Sequence, residues 1–199
     1  MSVLLEHEPL AGIVQFTLNR PRERNGLSED LVGVLRERLA HHAWRSETRV
    51  IVLRAAGAAF CCGAELSQTR ALGAGSMVEN HAEASRLLAL FSDLNEMRKP
   101  TVAAVHGPAL GLGVGLVAAC DIAIGAEEAK FCLSEVRLGL APALTAPWLI
   151  DAMGVRQFRR YALSGEMMSA ERAREIGLDR KSTRLNSSHI PLSRMPSSA

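Results

Sequence analysis

The segment HGPALGLGVGL, residues 106–116, decides the fold, because it passes from a buried strand into a helix through closely spaced glycines. Thr101–Val105, directly before it, is a short apolar run that predicts a buried strand. A helix is predicted from Gly111 to Cys120, and Asp121–Ile124 predicts the next strand. Strand, helix and strand at these intervals are typical of an α/β fold with crossover connections.

Upstream of this segment the sequence predicts the same succession of elements. Residues 12–20 alternate apolar and polar side chains, which indicates a strand that ends at Pro21. Ser28 is the expected N-cap of a helix whose first turn holds two acids. Val50–Leu53 predicts a short buried strand, and a second helix is predicted from about Met77 to Met97.

The composition is that of a globular protein and excludes several classes of partner. The chain has 199 residues, 48% hydrophobic and 22% charged, which is enough for one domain with a sizeable core. Its apolar runs are far shorter than the roughly 20 residues that cross a bilayer, so no membrane partner is expected. The first 179 residues hold 19 basic and 21 acidic side chains, and 4% of the chain is aromatic. This balance argues against nucleic acid as a partner.

The amino terminus and the cysteines predict a cytoplasmic protein. Glu6 and Glu8 interrupt the sequence before a signal-peptide core can form, so no secretion signal is expected. The four cysteines show no C-x-x-C spacing. Reduced thiols therefore fit better than a disulfide framework or a zinc site.

The last twenty residues differ in character from the rest of the chain. RKSTRLNSSHIPLSRMPSSA contains six serines, two prolines and no acid, with neither helical nor strand periodicity. A flexible polar tail is one interpretation. We favour another, in which the segment resembles translated sequencing-adapter sequence. We therefore expect residues 1–179 to form a truncated folded core and residues 180–199 to be a non-native or disordered tail.

Three segments rich in small residues stand out: Phe60–Leu66, the glycine-rich segment 106–116, and Ser134–Pro142, of which the first and the third also contain a glutamate. Turns of small residues let backbone N–H groups approach a ligand closely, and a helix N-terminus adds the positive end of its dipole. Two such donors on one thioester oxygen would stabilise an enolate, while a nearby carboxylate moves protons.

Simpler interpretations of the same residues stay open at this point. Glu135 taken alone would be a solvated surface carboxylate. His106, at a strand end, is an alternative base, although a hydrogen-bonded structural histidine is more common. Cys61 and Cys62 are expected to be packing residues. A dinucleotide fingerprint fails on spacing, because Leu116 stands where glycine or alanine is required.

Five segments, in order and at the expected spacing, resemble motifs of the crotonase, or enoyl-CoA hydratase/isomerase, family. With the family pattern in parentheses they are Leu18–Leu27 (L-N-R-P-x-x-x-N-A-L), Phe60–Leu66 (F-x-x-G-A-D-L), Gly107–Leu116 (G-x-A-x-G-G-G-x-x-L), Cys120–Ile124 (C-D-I/L-x-I/V) and Phe131–Pro142 (F-x-x-P/S-E-x-x-L/I-G-x-x-P). The resemblance implies a crotonase-like α/β spiral of repeated strand–strand–helix units in two roughly perpendicular sheets. Its C-terminal helical segment would be missing from this chain.

The resemblance also assigns roles at the reaction centre. Ala64 and Leu112 match the residues whose backbone N–H groups form the family's oxyanion hole, and Glu135 matches one of two catalytic glutamates. Gly115 occupies the position of the other glutamate, so Gly115→Glu is expected to raise hydration activity. Leu112 replaces a glycine, and a positive φ there would strain the backbone.

The resemblance further implies a set of residues around the thioester and coenzyme A. These are Arg24, Gly26, Cys62, Ala64, Glu65, Leu66, Ser67, Pro108, Gly111, Gly113 and Gly115.

The implied function is the reversible hydration of a 2-enoyl-CoA, and the run Ser134–Ala143 most resembles bacterial methylglutaconyl-CoA hydratases. Arg137 or Arg24 would then contact the second carboxylate of that substrate. A family isomerase or decarboxylase, or a non-catalytic acyl-CoA-binding remnant, is the alternative. No metal or redox cofactor is implied, because coenzyme A arrives as part of the substrate. Intact relatives are expected to be homotrimers or hexamers, with weakened assembly here.

Overall fold

The computed structural model describes residues 2–65 and 75–179. This part of the chain contains eight strands and five helices. In order they are β1 (Leu4–Leu10), β2 (Ile13–Leu18), α1 (Glu29–Ala43), β3 (Val50–Ala55), α2 (Met77–Asn95), β4 (Thr101–Val105), β5 (Pro108–Leu110), α3 (Leu112–Ala119), β6 (Ile122–Gly125), β7 (Lys130–Cys132), α4 (Ala146–Ser164), β8 (Met168–Ser169) and α5 (Ala170–Glu175). Single 3-10 turns span Pro21–Glu23 and Glu135–Leu138.

The strands form two sheets. The larger has the order β1-β2-β3-β4-β6, in which β1 is antiparallel to β2 and the remaining pairs are parallel. The smaller has the order β5-β7-β8, with β5 and β7 parallel. The helices between parallel strands provide the crossover connections that such pairs require. The predicted α/β class is confirmed.

Strands form where apolar side chains alternate with polar ones, and helices form where apolar side chains recur every three or four residues. In β2, alternate residues Val14, Phe16 and Leu18 are buried, as expected for a strand with one core face. Along α1, buried leucines recur every four residues, and the Ser28 hydroxyl accepts a hydrogen bond from the Leu31 amide, confirming the predicted cap.

A few boundaries differ from the prediction. β1 was not predicted, because an edge strand with only Leu4 buried carries no clear alternation of apolar residues. The helix α2 ends at Asn95, slightly before the predicted end, and begins with a capping box between Ser76 and Glu79.

Some of the predicted features lie outside the described residues. These are the tail from 180 to 199 and the predicted site residues Leu66 and Ser67. No helix within residues 2–65 and 75–179 is long and apolar enough to cross a membrane.

Candidate active site

Two turns meet at the junction of the two sheets. The turn that follows β3 forms a parallel bridge from Cys61 to Ala109 of β5, and the Leu110 amide donates to the Cys61 carbonyl at 2.8 Å. Gly63, with φ of 90°, lies directly over the start of α3: a Cβ at this position would be 3.6 Å from the Leu112 nitrogen. The fold therefore brings Ala64 and Leu112 to the same cavity.

Close backbone contact explains two of the glycines at the start of α3. Gly111 has φ of 52°, and its amide donates to the Cys132 carbonyl at 2.8 Å. A Cβ at Gly113 would overlap the Cys61 carbonyl oxygen. Leu112 is not among the described non-glycine residues with positive φ, so the strain expected there is absent. As the first residue of α3, it has an N–H without a partner in its own helix.

Glu135 is the carboxylate at this junction. It begins the 3-10 turn after β7, and a Cβ at Gly111 would be 3.2 Å from its Oε1 atom. Both carboxylate oxygens are buried, and no other described residue donates a hydrogen bond to them. Burial raises the pKa of this carboxyl above its ordinary value, and only a hydrogen bond with its own backbone opposes that shift. Such a group exchanges a proton more readily near neutral pH than a solvated glutamate does.

A cavity of about 390 Å³ lies in front of Glu135. Its wall is mostly apolar and comes from the 62–64 turn, the start of α3, one residue of α2 and the loop before α4. The lining residues are Cys62, Gly63, Ala64, Leu87, Gly111, Leu112, Ser134, Glu135, Arg137, Leu138, Leu140, Ala141, Pro142, Ala143 and Leu144. An apolar cavity with a few convergent polar groups and one perturbed carboxyl is the usual form of a small-molecule site.

A second cavity of about 500 Å³ is larger but lacks these features. It is lined partly by Asp121, Asp151 and Arg174, and its wall is more polar. Among the described residues, no three His, Cys, Asp or Glu side chains lie close enough together to hold a metal ion. We therefore place the candidate active site at Glu135.

Comparison with known proteins agrees with this geometry. The family model described as enoyl-CoA hydratase/isomerase matches residues 8–183. This chain belongs to the enoyl-CoA hydratase/isomerase family. The resemblance inferred from its motifs is confirmed at the level of the family.

Individual relatives extend the comparison. The chain is 35% identical over 171 residues to enoyl-CoA hydratase AKT6-1 of Alternaria alternata, covering 84% of this chain and 54% of that protein. It is 34% identical over 172 residues to the mitochondrial enoyl-CoA hydratase domain-containing protein 2 of Mus musculus, covering 85% and 57%. The crystal structure of an enoyl-CoA hydratase from Shewanella pealeana superposes with a TM-score of 0.87 at 35% identity, covering 91% and 68%. The chain thus spans little more than half the length of these two curated relatives.

Five of the predicted site residues line the cavity of this family member: Cys62, Ala64, Gly111, Leu112 and Glu135. Two more, Arg24 and Gly26, lie in the adjoining turn between β2 and α1, and a third, Glu65, contacts this turn. Arg24 is exposed, with its carbonyl accepting from the Cys62 amide, and Gly26 packs against the backbone of Glu65. The Glu65 carboxylate pairs with Arg20 at 2.8 Å, which makes it a poor candidate base.

Pro108, Gly113 and Gly115 have structural contacts instead of lining the cavity. The Pro108 carbonyl accepts from the Phe60 amide at 2.9 Å, which fixes the turn before Ala64. Gly115 is buried, and a Cβ there would overlap the Thr145 methyl group and lie 3.2 Å from Phe91. A glutamate at this position would therefore require the Thr145 or Phe91 side chain to move.

The histidine and the cysteines behave as packing or structural groups. His106 Nε2 lies 2.8 Å from the Gly57 carbonyl, which can only accept, so that nitrogen carries the proton. Burial raises the pKa of the Cys61 thiol to about 12, and it also raises that of Cys62, against the weaker opposing effect of Arg24. Neither thiol is a nucleophile near neutral pH.

Sequence reasoning missed the apolar half of the cavity. Leu138, Leu140, Pro142 and Leu144 follow Glu135 without helical or strand period, so no pattern marked them as a shared wall. Leu87 was predicted to lie on the apolar face of its helix, but its place in the cavity depends on the tertiary contact between α2 and α3.

Proposed function

We propose that this chain binds an acyl-CoA thioester in the Glu135 cavity and reversibly hydrates a 2-enoyl-CoA. The observation that carries this proposal is the pair of buried Glu135 oxygens, to which no other described residue donates a hydrogen bond and which lie beside the first turn of α3. An uncompensated buried carboxyl is costly, and such groups are kept where chemistry uses them.

The thioester oxygen is proposed to lie between the amides of Ala64 and Leu112. Both residues line the cavity, and the Gly63 turn packs closely on the start of α3. As electrons move onto this oxygen, the two N–H donors and the positive end of the helix dipole stabilise the enolate.

Glu135 is proposed to move the proton. Its carboxylate accepts a proton from water while the water oxygen bonds to C3 of the enoyl group. The proton is then delivered to C2 of the enolate, so water is added across the double bond and the carboxylate is regenerated. Among the described residues of the cavity wall, Glu135 is the only carboxylate, so one group performs both transfers.

Isomerisation of a 3-enoyl-CoA to a 2-enoyl-CoA is the second candidate, and the single carboxylate favours it. Glu135 would remove a proton from C2 and return it to C4, with the same enolate between the two steps. This shift needs no activated water, and a site without a second carboxylate can carry it out.

A 3-methylglutaconyl-CoA is the proposed specific substrate, supported by Arg137 at the cavity wall. Its Nη2 atom donates to the Gly165 carbonyl at 2.7 Å, which leaves other N–H groups of this exposed guanidinium for a carboxylate. The proposed reaction uses no metal or redox cofactor, and coenzyme A enters with the substrate. A cytoplasmic location and a weakened trimer or hexamer stay predictions.

Turnover assays test these proposals. The protein is mixed separately with crotonyl-CoA, 3-methylglutaconyl-CoA and a 3-enoyl-CoA, and the ultraviolet absorbance of the conjugated thioester is followed. Hydration lowers the absorbance with the first two substrates, whereas isomerisation raises it with the third. Binding of all three thioesters without any change in absorbance would refute both activities and leave a non-catalytic acyl-CoA-binding protein.

A further inference from the structure

A buried residue that no site motif contains lies next to the wall of the Glu135 cavity. Thr145 is fully buried and follows directly after Leu144, the last residue of the loop that lines the cavity. Its hydroxyl makes one long hydrogen bond, 3.4 Å to the Pro142 carbonyl, and does not cap α4. The side chain therefore contributes mainly volume.

Thr145 belongs to a layer directly behind the cavity wall. On α2, Phe91 lies one turn beyond the wall residue Leu87, and on α3, Gly115 lies one turn beyond the wall residue Leu112. Residues three or four apart share a helix face, so each pair points in the same direction. The space in front of Gly115 thus continues the cavity one helical turn deeper.

The Thr145 side chain fills that deeper space. A Cβ at Gly115 would overlap the Thr145 methyl group, lie 2.9 Å from the Thr145 Cβ atom, and lie 3.2 Å from Phe91. Glycine is consequently the only amino acid that fits at position 115 without displacing Thr145 or the loop that ends at Thr145.

We propose that Thr145, packed on Gly115, forms the closed inner end of the acyl cavity and limits the length of the acyl chain. This inference rests on the proposed function, because it takes the cavity as the acyl site. The wall near this end is aliphatic, so the chain it receives is an alkyl chain. Burying one methylene changes affinity by about fourfold, so opening the end produces a measurable change in chain preference.

The test uses four variants with the wild type. Thr145→Gly removes three non-hydrogen atoms and opens the space, and glycine at a helix N-cap costs little stability. Thr145→Val keeps the shape and removes only the hydroxyl. The double variant Gly115→Ala with Thr145→Gly refills the space from α3. Gly33→Ala is the distant control, since nothing lies within 4 Å of a Cβ at this exposed α1 residue.

The readouts are the dissociation constants of butyryl-CoA and hexanoyl-CoA by calorimetry, and kcat/KM for crotonyl-CoA and 2-hexenoyl-CoA. We expect Thr145→Gly to shift both ratios about fifteenfold toward the longer chain, from two added methylenes at about fourfold each. The double variant should move the ratios back toward the wild type, and Thr145→Val and Gly33→Ala should leave them unchanged. Should Thr145→Gly fail to fold, Thr145→Ala provides the same test with a smaller shift.

An unchanged chain-length ratio in a folded Thr145→Gly or Thr145→Ala protein overturns the inference. So does a shift in Thr145→Val as large as that in Thr145→Gly, because the hydroxyl and not the volume would then be responsible. The ratio of the two dissociation constants tests this inference separately from the proposed function. If the thioesters bind without turnover, the hydratase and isomerase proposals are refuted, but this ratio can still be measured. A wild type that binds neither thioester overturns both.

Discussion

Replacing Glu135 by glutamine removes the titratable group and keeps the size of the side chain. Both oxygens of Glu135 are buried, and the other polar side chains of the cavity wall, among the described residues, are Cys62, Ser134 and Arg137. None of these takes over proton transfer near neutral pH, since burial raises the pKa of the thiol and the guanidinium stays charged. We therefore expect turnover to fall by about 10²–10⁴, the range for loss of a general acid or base.

The assay compares kcat and KM with crotonyl-CoA for wild type, Glu135→Gln and Glu128→Gln. Glu128 is an exposed glutamate in the turn between β6 and β7, and it receives the same substitution as a matched control. KM should change little in either variant, because the amides and the apolar wall are untouched. Retention of more than about a tenth of wild-type kcat by Glu135→Gln would refute a proton-transfer role for Glu135.

The same substitution has a pH signature in stability. Burial raises the folded-state pKa of Glu135 above its unfolded value, so its contribution to stability is present at low pH and is lost as pH rises through the raised pKa. The Glu135→Gln variant has no carboxyl at this position and therefore does not lose stability in this way. We expect the difference in urea midpoint, variant minus wild type, to increase as the pH is raised from acid to neutral. In activity, the acid limb of kcat/KM should lie above the ordinary glutamate pKa of about 4.3.

Three further predictions concern the backbone around the site. Leu112→Pro removes the proposed oxyanion N–H at a helix position that tolerates proline, and should lower kcat by about 10²–10³ with the circular-dichroism spectrum retained. Asn25→Ala removes a fully buried amide that donates to two backbone carbonyls at 2.8 Å, and should cost about 1–3 kcal/mol in chemical denaturation. Gly33→Ala, in an open position of α1, should raise the unfolding free energy by about 0.5–1 kcal/mol, whereas Gly113→Ala should destabilise the protein because its Cβ overlaps the Cys61 carbonyl.

The fold was largely predictable because its elements are marked by local patterns. Thr101–Val105 was predicted with the correct bounds, since a buried parallel strand is a continuous apolar run. The backbone of the site was also accessible from the sequence, because Gly63, Gly111 and Gly113 stand where the chain turns or approaches itself closely. The strand is marked by neighbouring residues, whereas the glycines mark by their own identity the points where a distant segment of the chain comes close.

The parts that escaped prediction depend on contacts between distant residues. His42, near the end of α1, is buried, with Nδ1 2.7 Å from the Thr48 hydroxyl and Nε2 3.1 Å from Glu6. The Glu65 carboxylate forms an ion pair with Arg20, from the turn after β2. No pattern within one element predicts which side chain of another element will reach it.

The contact between Gly115 and Thr145 connects the chemistry of the site to the size of its cavity. A carboxylate at residue 115 would need the space that Thr145 fills, so Gly115→Glu alone displaces the loop that forms the cavity wall. Adding a second acid would therefore require removing Thr145, and that change also opens the inner end of the cavity. If the proposed function and the proposed chain-length limit both hold, the same pair of residues sets the number of carboxylates and the length of the acyl chain. Under that proposal, Glu135 is the proton carrier of the cavity while Thr145 occupies the space opposite Gly115.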